Sequence, residues 1–156
     1  MWRAVGLIAT LVAVSACGEG TTPVSDAPKA PVTTAVNIVA TDFAFEISPQ
    51  SIPSGVVETT LVNEGKEPNQ AGYYRLNDGV TFEDFVAAIT KDDSMIPQLA
   101  ESGGAGHMRG LSGGETGVRP GDDLEPGEYA VLCSIRDPET AKNHYELGMT
   151  ASLTVK

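Results

Sequence analysis

The chain has 156 residues, of which 21 are acidic and 10 basic, and its formal net charge at pH 7 is −11. This acidic excess argues against nucleic acid and anionic lipid surfaces as partners, because both are polyanions. It permits docking to a basic protein, and it would equally serve to keep an exported protein soluble. The length accommodates one ordinary domain with a tether, and no internal repeat is visible.

The first residues have the pattern of a bacterial export signal. A positively charged start is followed by an apolar run over residues 4–14 and by small residues just before Cys17. The run is too short for a membrane-spanning helix, which needs about 20 apolar residues. We therefore predict a signal peptide over residues 1–16, lipidation at Cys17, and a lipoprotein anchored to the outer face of a bacterial membrane.

Residues 17–34 show no apolar periodicity and include three prolines, which predicts a flexible linker behind the lipidated cysteine. The remaining residues, 35–156, are predicted to form one domain. Short apolar runs separated by proline and glycine turns dominate this domain. Strands are predicted near residues 36–40, 43–47, 56–63, 71–76, 129–135 and 150–155. Several short strands with turns between them are typical of a two-sheet sandwich.

Residues 81–89 differ from the strands because their apolar side chains recur at helical spacing, which predicts an amphipathic helix capped by Thr81. The glycine-rich stretch 102–114 is predicted to be a loop. It lacks the lysine and the spacing of a phosphate-binding loop, so the sequence gives no support for nucleotide binding. Residues 118–121 and 124–127 are expected to bring the chain to the next strand, with a proline–glycine turn just before that strand.

Three soft or borderline metal donors follow one another near the C-terminus. Cys133 ends an apolar strand, and His144 and Met149 follow a polar loop. A thiolate, an imidazole and a thioether suit copper far better than magnesium or calcium, which prefer oxygen ligands. If Cys17 carries lipid, Cys133 has no disulfide partner within the chain, and a lone thiol in an exported protein requires a reason such as metal binding.

The order Gly-x-Tyr-x-x-x-Cys, then His, then Gly-Met before a final strand resembles the ligand loop of the cupredoxins, the plastocyanin/azurin-like blue copper proteins. The resemblance implies an all-β Greek-key β-sandwich, here with one short inserted α-helix. It also implies copper held by two histidines, a cysteine and an axial methionine. Cys133, His144 and Met149 match three of these positions. The fourth position, which follows the turn that begins at Asn63, is occupied by Asn69 instead of histidine.

The amide oxygens of Asn69 and Gln70 are weak copper ligands beside imidazole. The three remaining donors, two of them sulfurs, would favour Cu(I). Asn69 is a possible fourth ligand, and His107 in the glycine-rich stretch is another. The resemblance thus implies a copper protein that acts in one-electron transfer or copper holding, with a redox or copper-transfer protein as partner.

One alternative remains open, and a second is disfavoured. A degenerate cupredoxin-like module could bind a ligand or a protein outside the cytoplasm without any metal, with Tyr73, Tyr74 and Tyr145 lining a small pocket. An enzyme would use Cys133 and His144 as nucleophile and base, but such a pair needs an orienting third group. Because no local motif supplies that group, we expect no enzymatic activity.

Overall fold

The computed structural model describes residues 32–101 and 106–156. The predicted signal peptide, Cys17 and the linker as far as residue 31 lie outside these residues, so their assignment stays a prediction. Among the helices of the described residues, none combines the length and the apolar character needed to cross a membrane.

The described residues form nine strands: β1 (Thr34–Thr41), β2 (Ala44–Ser48), β3 (Ser51–Ile52), β4 (Gly55–Asn63), β5 (Gly72–Arg75), β6 (Gly106–His107), β7 (Thr116–Leu124), β8 (Gly127–Leu132) and β9 (Thr150–Val155). The first sheet has the order β2-β1-β4-β7, and the second has the order β3-β9-β8-β5-β6. The β1–β4 and β3–β9 pairs are parallel, and the others are antiparallel. The predicted all-β sandwich is confirmed.

The core lies between the two sheets because successive side chains of a strand point to opposite faces. Along β4, the buried side chains belong to Val57, Thr59, Leu61 and Asn63. The hydroxyls of Thr59 and Tyr73 lie 2.9 Å apart and join the two sheets across the core. Asn63 is the last inward position of β4, and its side chain contacts the loop that carries Asn69.

The predicted helix is present as α1 (Phe82–Ile89), and the Thr81 hydroxyl accepts a hydrogen bond from the third residue after it. It packs on the outer face of the second sheet and buries Phe85 and Ile89 there. A 3-10 turn (Asp93–Met95) and a second helix, α2 (Ile96–Leu99), follow. The sequence did not predict α2, because four residues are too few to reveal a helical period.

Residues 118–121, expected to be a connecting segment, lie within β7, whereas Glu125 and Pro126 connect β7 to β8 as expected. The register passes from Val57 opposite Asp122 to Thr59 opposite Arg119, so Pro120 and Gly121 form a bulge. β7 is an edge strand, where the missing N–H of proline is tolerated. Proline and glycine therefore mark a bulge here, not the end of a strand.

The prediction of a loop over residues 102–114 is also partly wrong. Residues 102–105 lie outside the described part, but Gly106 and His107 form β6, which pairs with β5. Met108 and Leu111 are buried in the main core. Their apolar side chains fasten the stretch to the sandwich despite the glycines around them.

Candidate metal centre

The three predicted ligands and Asn69 meet at one end of the sandwich. Cys133 directly follows β8, and Met149 directly precedes β9. His144 begins a 3-10 turn (His144–Leu147) between them, and Asn69 lies in the loop between β4 and β5. All four residues are buried, and the most exposed of them, His144, has a relative accessibility of only 1%.

Three donor atoms converge at this point. Cys133 Sγ lies 3.5 Å from His144 Nδ1. Asn69 Oδ1 lies 3.0 Å from the same nitrogen and 3.9 Å from the sulfur. At the metal–thiolate and metal–imidazole bond lengths typical of a divalent ion such as zinc, roughly 2.3 and 2.0 Å, the 3.5 Å separation corresponds to a sulfur–metal–nitrogen angle of about 110°. The arrangement therefore fits a single ion held by sulfur and nitrogen.

Backbone hydrogen bonds join the C-terminal loop that carries the three predicted ligands into one unit. The Tyr145 N–H donates to the Cys133 carbonyl at 3.0 Å, and the Met149 N–H donates to the His144 carbonyl at 3.0 Å. The Cys133 N–H in turn faces the Met149 carbonyl at 3.3 Å. Gly148 makes this return possible with a φ of 110°. The Met149 side chain lies in the same buried cluster as the Cys133 thiol.

Asn63 fixes the orientation of the Asn69 amide. The Asn63 Nδ2 group donates to the carbonyls of Glu67 and Leu111, both at 2.8 Å. Its Oδ1 therefore faces the other way and accepts from the Gly65 N–H at 3.0 Å and from Asn69 Nδ2 at 2.9 Å. Because Asn69 must donate to Asn63, its own Oδ1 points at His144 and Cys133. The Asn69 amide oxygen is thus oriented toward the thiol and the imidazole nitrogen.

Burial disfavours the charged form of both titratable groups, the thiol and the imidazole. Burial raises the pKa of the Cys133 thiol, although the Gln70 N–H, at 3.5 Å from Sγ, opposes this effect. Burial also lowers the pKa of His144, with the Asp137 carboxylate acting in the opposite direction. A metal would bind here with release of the thiol proton, because thiolate is the form that coordinates.

The second nitrogen of His144, Nε2, is buried and has no hydrogen-bond partner among the described residues. The Phe43 ring packs edge-on against the imidazole, with ring centroids 5.0 Å apart.

The arrangement of Cys133 and His144 differs from that of a catalytic nucleophile and base. In such a pair a third group orients the base through its other nitrogen, whereas here Asn69 faces the same His144 Nδ1 as the thiol. The raised thiol pKa also opposes nucleophilic reactivity at neutral pH.

His107, the other residue considered as fourth ligand, is not brought to these donors. Its ring lies over Gly72, where an added Cβ would be 2.7 Å from Nε2. The Tyr74 hydroxyl lies 3.2 Å from the same nitrogen. Gly72 is opposite Leu132, whose side chain packs in the outer cluster with α1, whereas the Cys133 thiol belongs to the inner core.

The three tyrosines do not share a pocket either. Tyr73 lies in the inner core, whereas Tyr74 and Tyr145 pack with the outer cluster beneath the helices.

Among residues 32–101 and 106–156, no three His, Cys, Asp or Glu side chains are grouped to hold a metal ion. The converging set has only two such members, since its oxygen belongs to an amide.

No protein-family model and no curated protein sequence matches the chain. Among solved structures, it is similar to auracyanin from Roseiflexus castenholzii, with a TM-score of 0.54, 20% identity, and coverage of 79% of this chain and 97% of that one. Auracyanin A from Chloroflexus aurantiacus gives a TM-score of 0.51, 20% identity, and coverage of 80% and 100%. Rusticyanin from Thiobacillus ferrooxidans gives 0.51, 16%, and coverage of 80% and 77%.

At these identities the likeness establishes the fold. The chain is a cupredoxin-like Greek-key β-sandwich with a short inserted α-helix, as the sequence predicted.

Proposed function

We propose that the chain binds one copper ion through Cys133, His144 and Met149, with the Asn69 amide oxygen as the fourth donor. The observation that carries this proposal is the convergence of a thiol, an imidazole nitrogen and an oriented amide oxygen within 3.0–3.9 Å in a buried site. The fold supports it as well, because a structural neighbour, auracyanin A, is described as a "blue" copper protein.

The donor set favours the reduced ion. An amide oxygen in place of imidazole leaves two sulfurs and one nitrogen as the strong donors, and sulfur ligands select Cu(I). When bound, copper would supply a one-electron redox couple. The chain holds its donors on short backbone-tied loops and keeps the thiol and the imidazole out of water. These features suit a protein that holds copper or exchanges single electrons with a redox or copper-transfer partner.

The test compares the wild-type protein with two variants. We expect one equivalent of Cu(I) to bind tightly to the wild type and to be lost in Cys133→Ser. Asn69→His restores a second imidazole and should bind Cu(II) with an intense blue thiolate-to-copper band and a matching EPR signal. If the wild type binds neither ion stoichiometrically, the copper proposal is wrong, whether or not Asn69→His binds copper.

One observation favours a second candidate, a metal-free binding module. When Nδ1 of His144 carries a proton, it can donate to Asn69 Oδ1 at 3.0 Å, and Asn69 Nδ2 is satisfied by Asn63. The polar groups between the two asparagines and Nδ1 are then paired without any ion. If the wild type binds neither Cu(I) nor Cu(II), the result would favour this module, an extracytoplasmic domain that binds a ligand or a protein.

We also propose that residues 1–16 direct export and that Cys17 carries a lipid anchor, which would hold the domain outside a bacterial membrane. The support is the order of charged, apolar and small residues before the cysteine. In a bacterial host, Cys17→Ser should move the protein from the membrane fraction to the soluble fraction. A wild-type protein that fractionates as soluble and carries no lipid mass would contradict the proposal.

A further inference from the structure

We propose that the cleft between the edge strands β6 and β7 binds a small organic oxyanion, a carboxylate, phosphate or sulfonate carried on an apolar body. The cleft opens where the edges of the two sheets face each other, because β6 ends the second sheet and β7 ends the first. Its volume is about 470 Å³, within the range of small-molecule pockets. This site is separate from the copper ligands and does not depend on copper binding.

The charge of the cleft is opposite to that of the protein. The chain carries a net charge of −11, yet the described residues that line the cleft include Arg109 and Arg119 and no carboxylate. Side-chain guanidinium groups recognise carboxylate and phosphate through charge-assisted hydrogen bonds. An anion would be repelled by most of this protein's surface, so the cleft is a local exception.

The two arginines differ in what they already contact. Arg119 Nε lies 2.9 Å from both carboxylate oxygens of the buried Asp122, and its Nη1 donates to the His107 carbonyl at 2.8 Å. Asp122 thus neutralises Arg119 and fixes it in place. The exposed Arg109 side chain forms no ion pair or hydrogen bond within residues 32–101 and 106–156. Arg109 therefore supplies the unneutralised positive charge.

An apolar surface adjoins these charges. Val118 has a relative accessibility of 58%, which is unusual in this structure for a large aliphatic side chain, and it lines the cleft. Met108 and Leu111 line the cleft from the core side. Gly117 lets them approach the β7 backbone, since an added Cβ would lie 3.2 Å from the Leu111 methyls and 3.3 Å from the Met108 methyl. A guanidinium beside exposed aliphatic carbon matches a ligand with a charged head and an apolar body.

The probe is 8-anilinonaphthalene-1-sulfonate, an anion with an apolar body, titrated into the purified full chain at low ionic strength with fluorescence as the readout. We expect saturable binding at one site. Arg109→Gln should weaken this binding about tenfold, as expected when a charged hydrogen bond is lost. Val118→Ser should weaken it also, and Lys91→Gln, which removes an exposed charge outside the cleft, should not. Phenyl phosphate should displace the probe.

Non-saturable binding would overturn the proposal, and so would equal binding by wild type and Arg109→Gln. A urea midpoint equal to that of the wild type establishes that Arg109→Gln and Val118→Ser are folded. Val118→Ser tests the apolar part of the site independently of the arginine. Cys133→Ser, which abolishes the proposed copper site, should bind the probe as the wild type does. Failure of the copper proposal and failure of the oxyanion site are therefore distinguishable.

Discussion

Replacing Asn63 with alanine should destabilise the fold by about 3–4 kcal/mol, because its side chain makes four hydrogen bonds and each contributes roughly 1 kcal/mol. Asn63 is completely buried. Two of its hydrogen bonds, to the Leu111 carbonyl and to Asn69 Nδ2, are buried, so those partner groups cannot form replacement hydrogen bonds with water. The Leu111 carbonyl still accepts a hydrogen bond from the Asn69 backbone N–H at 2.9 Å, which limits the loss of stability at that carbonyl.

The assay is urea unfolding at 25 °C, with circular dichroism as the signal. With an m-value of about 1.5 kcal/mol per M, the midpoint of Asn63→Ala should fall by roughly 2 M. Asn77→Ala is the matched control, since Asn77 is exposed and its side chain makes one hydrogen bond, to the Gln98 carbonyl at 2.9 Å. We expect the control to lose no more than about 1 kcal/mol. Similar losses in the two variants would refute the argument that Asn63 organises this end of the sandwich.

Three further predictions concern the scaffold. Burial raises the pKa of Tyr73 to about 12, so stability should fall by about 2 kcal/mol as pH rises from 10 to 12. Unfolding of Tyr73→Phe at both pH values should show a smaller fall; an equal fall would contradict the assignment. Thr81→Ala removes the α1 cap and should cost about 1 kcal/mol by urea unfolding, whereas no change would mean that the cap is dispensable. Gly106→Ala places a Cβ 2.5 Å from the Asp122 carboxylate and should cost about 1–3 kcal/mol. An unchanged Tm in that variant would show that the carboxylate moves freely.

The sequence predicted the strands that alternate and the helix that has a clear apolar stripe, since both patterns are local. It missed β7 because Pro120 and Gly121 interrupt the pattern, and only pairing with β4 turns them into a bulge. It also missed the role of the Asn63 side chain. The available signal was a polar residue at an inward position, two residues beyond Leu61 in β4.

The order of Cys133, His144 and Met149 on the last loop, and the presence of asparagine at position 69, are properties of the sequence alone. These residues set the chemistry of the donors, because the softness of a thiolate or an imidazole does not depend on the fold. Whether the donors meet depends on contacts distant in sequence, such as the 3.0 Å approach of Asn69 to His144 across 75 positions. Other contacts of this kind are the pairing of β6 with β5, which places His107 on the outer face, and the hydrogen bond from Asn69 to Asn63, which turns the Asn69 oxygen inward. Only the packed sandwich decides them, because sheet pairing and burial select among positions that the sequence leaves equally open.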